Sequence, residues 1–195
     1  YTHPDAEVRF QAARSGARLG DTQALTVLAD IALDRRDPAR LLAIRELARG
    51  NSSAVTARLV ELLADPDREM RIAAYETLLQ QHHPAVRSVV FGHILDPQQI
   101  NCVLDVVDCP GPPLIYVRRT RLPRIAVFGA QTPVLSPVFY TGDEGQVTLV
   151  SDDDSDIVLV YAKRRGRLSE EIEAAPRAVE IITALAALPQ RDALG

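Results

Sequence analysis

"HPDAEVRFQAA", from His3 to Ala13, returns sixty-two residues later as "DPDREMRIAAY", from Asp65 to Tyr75. Midway between them, "DRRDPARLLAI" from Asp34 to Ile44 brings Arg9, Arg40 and Arg71 into register, and Ala12, Ala43 and Ala74 with them. The chain therefore carries a 31-residue period, and self-similarity at such a spacing marks a stacked array of one repeated supersecondary unit.

Each period holds two apolar patterns of helical spacing. The breaks between them carry start and stop residues: Asp37-Pro38, Asp65-Pro66 and His83-Pro84 at expected first turns, Gly20 and Gly50 at expected left-handed ends. The spacing predicts six helices, over 5–19, 22–33, 38–49, 53–64, 67–81 and 85–94. Val8, Ala12, Leu19, Leu25, Leu28, Leu41, Ile44, Leu47, Leu59, Leu62, Met70, Ala74 and Leu78 are expected to fill the layers between them. Arginine follows Asp5 and Asp67 by four residues, a favourable helical pair that also brings it within reach of an aspartate of the adjoining repeat. A structural ladder of charges is favoured over a catalytic role. The D-x-E-V-R-x-x-A-A opening resembles that of HEAT-type α-solenoid repeats, and the resemblance implies such a stack over residues 1–97.

Beyond Leu95 the period changes. "PLIYVRR", "RIAVFG", "VLSPVFYT", "GQVTLV" and "DIVLVYAK" are short β-branched and aromatic runs between Pro, Gly and Asp clusters, the pattern of a small antiparallel sheet. "GDEG", 142–145, reads as a hairpin turn. Apolar residues on both alternating sets of "VTLV" and "IVLVYAK" predict strands covered on both faces. A last helix near 176–188 presents Ala178, Ile181, Ile182, Leu185 and Leu188 on one side, toward that sheet or the last repeat. The expected fold class is α+β: a HEAT-like helical solenoid over 1–97, then a small antiparallel β-rich module over 98–195 with a C-terminal helix.

Composition narrows the function classes. The 195 residues carry 26 acidic and 22 basic side chains, a formal charge of −4, which advertises no nucleic-acid partner. No apolar run is long enough to span a bilayer and no signal pattern opens the chain, so membrane insertion is not expected. A start at Tyr1 without Met reads as a fragment or processed product, with any targeting signal upstream.

Candidate chemistry is sparse. "SDDDSD", 151–156, has the acid density of a calcium loop. Counted from Asp152, however, Ile157 and Lys163 stand where an EF-hand needs Gly and Glu, which leaves at most a weak cation site at Asp152–Asp156. His82, His83 and His93 with Cys102 or Cys109 lack zinc-ligand spacing. Ser136, Ser151 and Ser169 have no nucleophile elbow, no phosphate loop is present, and Lys163 is the chain's one lysine. No catalytic, cofactor-binding or metal-ligating residue is assigned. The runs Arg118, Arg119, Arg121, Arg124 and Lys163, Arg164, Arg165, Arg167 lie near Tyr116, Phe128 and Tyr161, an arrangement compatible with a nucleic-acid surface. Ion pairing with "SDDDSD" and "EEIE" is favoured instead, because no RRM, KH or OB signature accompanies the charge. Cys102 and Cys109 would stand about 23 Å apart on a strand, or about 10 Å on a helix. Both exceed the roughly 7 Å that a disulfide tolerates. The stretch 100–107 alternates as a strand, and Cys109-Pro110-Gly111-Pro112-Pro113 reads as the turn that follows it.

The composite of Gly111-Pro112-Pro113, Pro123 to Gly129 and Gly145-Gln146-Val147-Thr148, between the repeats and the last helix, resembles the C-terminal extension of long-form flagellar basal-body P-ring proteins. That resemblance implies a periplasmic structural protein of the bacterial flagellum, without catalysis or cofactors. It also implies protein partners, either ring subunits or other basal-body components, and an oligomeric state in the complete ring. The residues alone point to an interaction scaffold whose surface is lined by the helices at 22–33, 53–64 and 85–94. The alternatives are a HEAT-like scaffold unrelated to flagella and a nucleic-acid module using 118–124 and 163–167.

Overall fold

A computed structural model describes residues 1–50, 52–92, 100–142, 147–153, 155–164 and 167–188. Among them, five helices come first: α1 (Ala6–Arg18), α2 (Thr22–Leu33), α3 (Arg40–Leu47), α4 (Ser53–Leu62) and α5 (Arg68–Gln80). Eight strands follow: β1 (Val86–Gly92), β2 (Ile100–Val107), β3 (Leu114–Arg118), β4 (Arg124–Phe128), β5 (Val138–Gly142), β6 (Val147–Ser151), β7 (Val158–Arg164) and β8 (Arg167–Ala174). Helix α6 (Ala178–Ala187) comes last. The strands form two four-stranded sheets, ordered β1-β2-β4-β3 and β5-β6-β7-β8. Two compact units result: residues 1–88 with 107–116, and residues 89–106 with 117–195.

This corrects the expected fold. The class remains a mixed α+β one, but the HEAT-like solenoid of about six helices is replaced by five helices, and the single small sheet by two. The residues expected to form a sixth helix, 85–94, enter strand β1, with 93 and 94 outside the described residues. Turn chemistry explains the misreading. His3, Asp37, Asp65 and His83 each precede a proline, and each accepts a hydrogen bond from the amide two residues on, at 3.1, 2.8, 2.9 and 3.1 Å. Three of these turns launch α1, α3 and α5; the fourth launches a strand. What differs is the sequence after the turn, where Val86, Val89, Val90 and Phe91 suit a pleated surface better than a helix. The prolines sit just before the N-caps Asp5, Ala39 and Asp67 rather than inside the first turn.

The period's arginines are not equivalent. Arg40 donates from Nε to the carbonyl of Ala32, eight residues earlier, at 2.9 Å, and Arg71 does the same to Leu63 at 2.8 Å. Each guanidinium thereby satisfies a carbonyl at the end of the preceding helix, where no intrahelical donor remains. The Nη2 of Arg40 then pairs with Asp65 at 2.5 Å, both side chains buried. The Nη2 of Arg71 turns instead to the carbonyl of Pro112 at 2.6 Å. Segment 107–116 thus belongs to the helical unit. Gly111 passes so close to it that a Cβ would stand 3.0 Å from the Ala64 Cα. Tyr116 packs edge-on against Tyr75 at 6.3 Å, and the Asp108 amide bonds to Ala85 O at 2.8 Å.

Arg9 donates instead to the nearby carbonyls of His3 and Pro4. The stripe it shares with Ala12 consequently faces outward, and α1 buries Phe10, Ala13, Gly16 and Ala17 in place of the expected Val8, Ala12 and Leu19. Leu41 is half-buried, while the remaining members of the expected layers are buried. Gly20 takes the left-handed conformation expected of it, at φ 83°. Gly50 does not; it is small because a Cβ there would strike the Leu25 side chain at 2.5 Å.

In the second unit one face of β6, β7 and β8 packs on α6. Val158, Val160, Ala174, Ile181, Ala184 and Leu188 form that core, with Val147, Leu149 and Ile172 at its margin. The register agrees, placing Leu149 opposite Val160 and Val160 opposite Ile172. The other face, with Val150, Leu159 and Tyr161, is half-exposed rather than fully covered. Ala178 carries α6 onto a second cluster with Leu104, Val106 and Val127 of β2 and β4. On the opposite side of β2, Asp105 is wholly buried and accepts a two-pronged bond from Arg124, at 2.9 and 3.0 Å.

Replacing Arg40 with Ala should lower the unfolding free energy by about 3–5 kcal/mol, because Asp65 stays buried without its cation. Arg9→Ala should cost less than about 1 kcal/mol. Urea unfolding followed by circular dichroism measures both, and equal costs would contradict the difference drawn between the two positions.

Candidate interaction surface

The residues weighed for metal or redox chemistry are dispersed. Cys102 lies half-buried on β2, where burial pushes its thiol pKa up, and Cys109 lies in the loop after it; both thiols are free. The Cys109 sulfur sits 4.0 Å from Arg71 Nη2. His82 ends α5 in a left-handed conformation at φ 51°, and His83 is occupied by the amide of Ala85. His93, 143–146 of the expected hairpin turn and Asp154 of the acidic run fall outside the described residues. Among the described residues no group of three or more His, Cys, Asp or Glu is arranged to hold a metal ion. Asp152, Asp153 and Asp156 project into solvent from the turn between β6 and β7, which Ser155 shapes by bonding to both backbone groups of Ile157. Ser136 and Ser151 bond to each other, and Ser151 also receives the Val138 amide, pinning the entry to β5.

The basic run 118–124 is largely separated from its aromatic neighbours, while Tyr161 beside the run 163–167 is half-exposed and Arg165 lies outside the described residues. Arg124 is committed to Asp105, Phe128 is fully buried, and Tyr116 donates to Glu76 at 3.3 Å while packing on Tyr75. A base cannot stack on the enclosed ring of Phe128. The outer faces of α2 and α4 offer Thr22, Gln23, Thr26 and Asp30, and Ser53, Ala54, Ala57, Arg58 and Glu61. These are small or polar side chains without the large anchors that dominate binding energy.

The large anchors lie elsewhere. Among the described residues strand β5 is an edge of the second sheet, paired with β6 alone, and carries Phe139 at 80% exposure and Tyr140 at 57%, with Leu135 at 83% just before it. Phe139 stands opposite Val150 and Tyr140 opposite Leu149, so the two rings mark opposite faces of one open edge. Such an edge presents unpaired backbone groups beside apolar side chains, a template for another chain. The sequence held the residues in "SPVFYT" but not their position at an edge, which topology alone supplies.

A second surface is electrostatic. On α3, Glu46 accepts from Arg14 at 2.8 Å, from Arg18 at 3.2 Å and from Arg49 at 3.2 Å. Burial raises the Glu46 pKa, but hydrogen bonds from Arg18 and Arg14, with their charges, outweigh it and hold the carboxyl below the ordinary glutamate range. A carboxyl lowered by folding contributes stability that is fully present above its unfolded value, about 4.3. That contribution disappears as pH falls through the folded value. In urea titrations stepped from about pH 6 down to pH 3, Glu46→Gln should therefore lessen the decline in unfolding free energy. An unchanged decline would contradict the pairing.

No protein-family model, curated protein or solved structure matches the chain, so the reading of its surfaces rests on its own residues.

Proposed function

We propose that this chain is a non-catalytic interaction module that holds a protein partner along the open edge of β5. The observation that carries the reading is the pair of exposed rings, Phe139 and Tyr140, on a strand with one side unpaired among the described residues. Aromatic side chains are the usual energetic centres of protein interfaces, and an extended partner segment added to the edge would bury them while satisfying the free backbone groups. Charges that would suit nucleic acid are in part drawn inward, as the Arg124–Asp105 pair illustrates.

The setting we propose is the P-ring of the bacterial flagellum, in the periplasm, with a neighbouring ring subunit or another basal-body protein as partner. It rests on the resemblance carried by Gly111-Pro112-Pro113 and the strands after it. A structural ring component needs durable contacts rather than a reaction centre, which agrees with anchors placed on a rigid strand.

Antibody raised against the chain should label flagellar basal bodies purified from cells that express it. The Phe139→Asp/Tyr140→Asp chain should reach the same cellular level and be missing from those basal bodies. Absence of label from native basal bodies would overturn the flagellar setting, and full retention of the double variant would overturn β5 as the contact.

A further inference from the structure

Two helices of the first unit carry arginine at matching places of the 31-residue period. Arg14 and Arg18 lie one turn apart on α1; Arg45 lies in the last turn of α3 and Arg49 in the turn just beyond it. Glu46 gathers three of them, its Oε1 taking Arg14 Nε and Arg18 Nη2 and its Oε2 taking Arg49 Nε. Arg45 is exposed and makes no hydrogen bond or ion pair among the described residues. Four guanidinium groups against one carboxylate leave a surplus of three positive charges on this stripe.

Like charges one turn apart on α1 repel each other. Glu46 relieves part of the repulsion and orients the forks of three arginines toward one place. A guanidinium has five N–H donors, and each of the three spends one on Glu46, so most remain available to an incoming carboxylate. The same chain displays the matching group. Asp152, Asp153 and Asp156 are exposed between β6 and β7, and none forms a salt bridge among the described residues.

We propose that the arginine stripe Arg14/Arg18/Arg45/Arg49 binds Asp152, Asp153 and Asp156 of a second copy of this chain. Stripe and turn are different surfaces, so the contact is made twice in a reciprocal two-fold dimer or repeats head-to-tail into a ring or filament. With the reading above it shares the premise that the chain acts through protein contacts, but it uses neither β5 nor the flagellar setting.

Sedimentation velocity of the purified chain, at about 50 mM salt and again near 500 mM, reads the contact through its screening. The native chain should self-associate at low salt and dissociate at high salt. Arg18→Glu/Arg49→Glu should weaken association by at least about tenfold, and Asp152→Arg/Asp153→Arg should do the same. Mixing the two variants should restore it, because each then meets a partner of opposite charge at both surfaces. Unaltered circular dichroism of both variants excludes misfolding as the cause. A monomeric native chain at low salt, association indifferent to both variants, or failure of the mixture to reassociate would each overturn the proposal. Stripe variants that lose only the binding of a phosphorylated or nucleic-acid probe would do so too. Association abolished by Phe139→Asp but not by the charge reversals would overturn it while leaving the β5 reading intact.

Discussion

A buried guanidinium that reaches back eight residues to close the end of a helix constrains the rest of the helical unit. Helix ends leave carbonyls without donors, and burying an arginine to supply one is costly unless its remaining N–H groups are also satisfied. At Arg40 the next repeat supplies Asp65. At Arg71 the acceptor is the carbonyl of Pro112, from a chain that has left the helices through β1 and β2 and come back. The return fixes much else: a glycine at 111 for close approach to Ala64, a ring at 116 to meet Tyr75, and the assignment of 107–116 to the helical unit.

The second unit uses a related device once. Asp105 and Arg124 form a buried fork between β2 and β4, which are adjacent in the sheet although β3 lies between them in sequence. On the other face of β2, α6 binds the sheets by small and branched side chains, and the rings of β5 stay exposed. Charge is thus spent on internal order in both units, and the features left for partners are an apolar edge and a basic stripe.

How much of this was readable varies by element. The apolar pattern at 22–33 coincides with α2, because a helix with strong local periodicity declares itself. Strand β1 was hidden by repetition, since His83-Pro84 makes the same turn that starts three helices and only the valines after it differ. The exposure of Ala12 goes with Arg9 bonding back to His3 and Pro4, a local turn that the shared period does not reveal. Arg124 read as one of a basic cluster because its partner is nineteen residues away on a strand reached by skipping a neighbour. Phe139 and Tyr140 read as ordinary strand residues because edge status belongs to the sheet. Local chemistry was legible, and non-sequential adjacency was not.

The central claim is that 107–116 is held as part of the helical unit by Arg71 and the contacts around it. Native-state hydrogen exchange under rising denaturant tests it at the Asp108 amide, which is bonded to Ala85 O. Residues of one cooperative unit open together, with a common free energy and denaturant dependence. The account predicts that the Asp108 amide opens with the amides of Leu78 and its neighbours in α5. Opening in step with Val127 of β4, or exchange without protection, would contradict it.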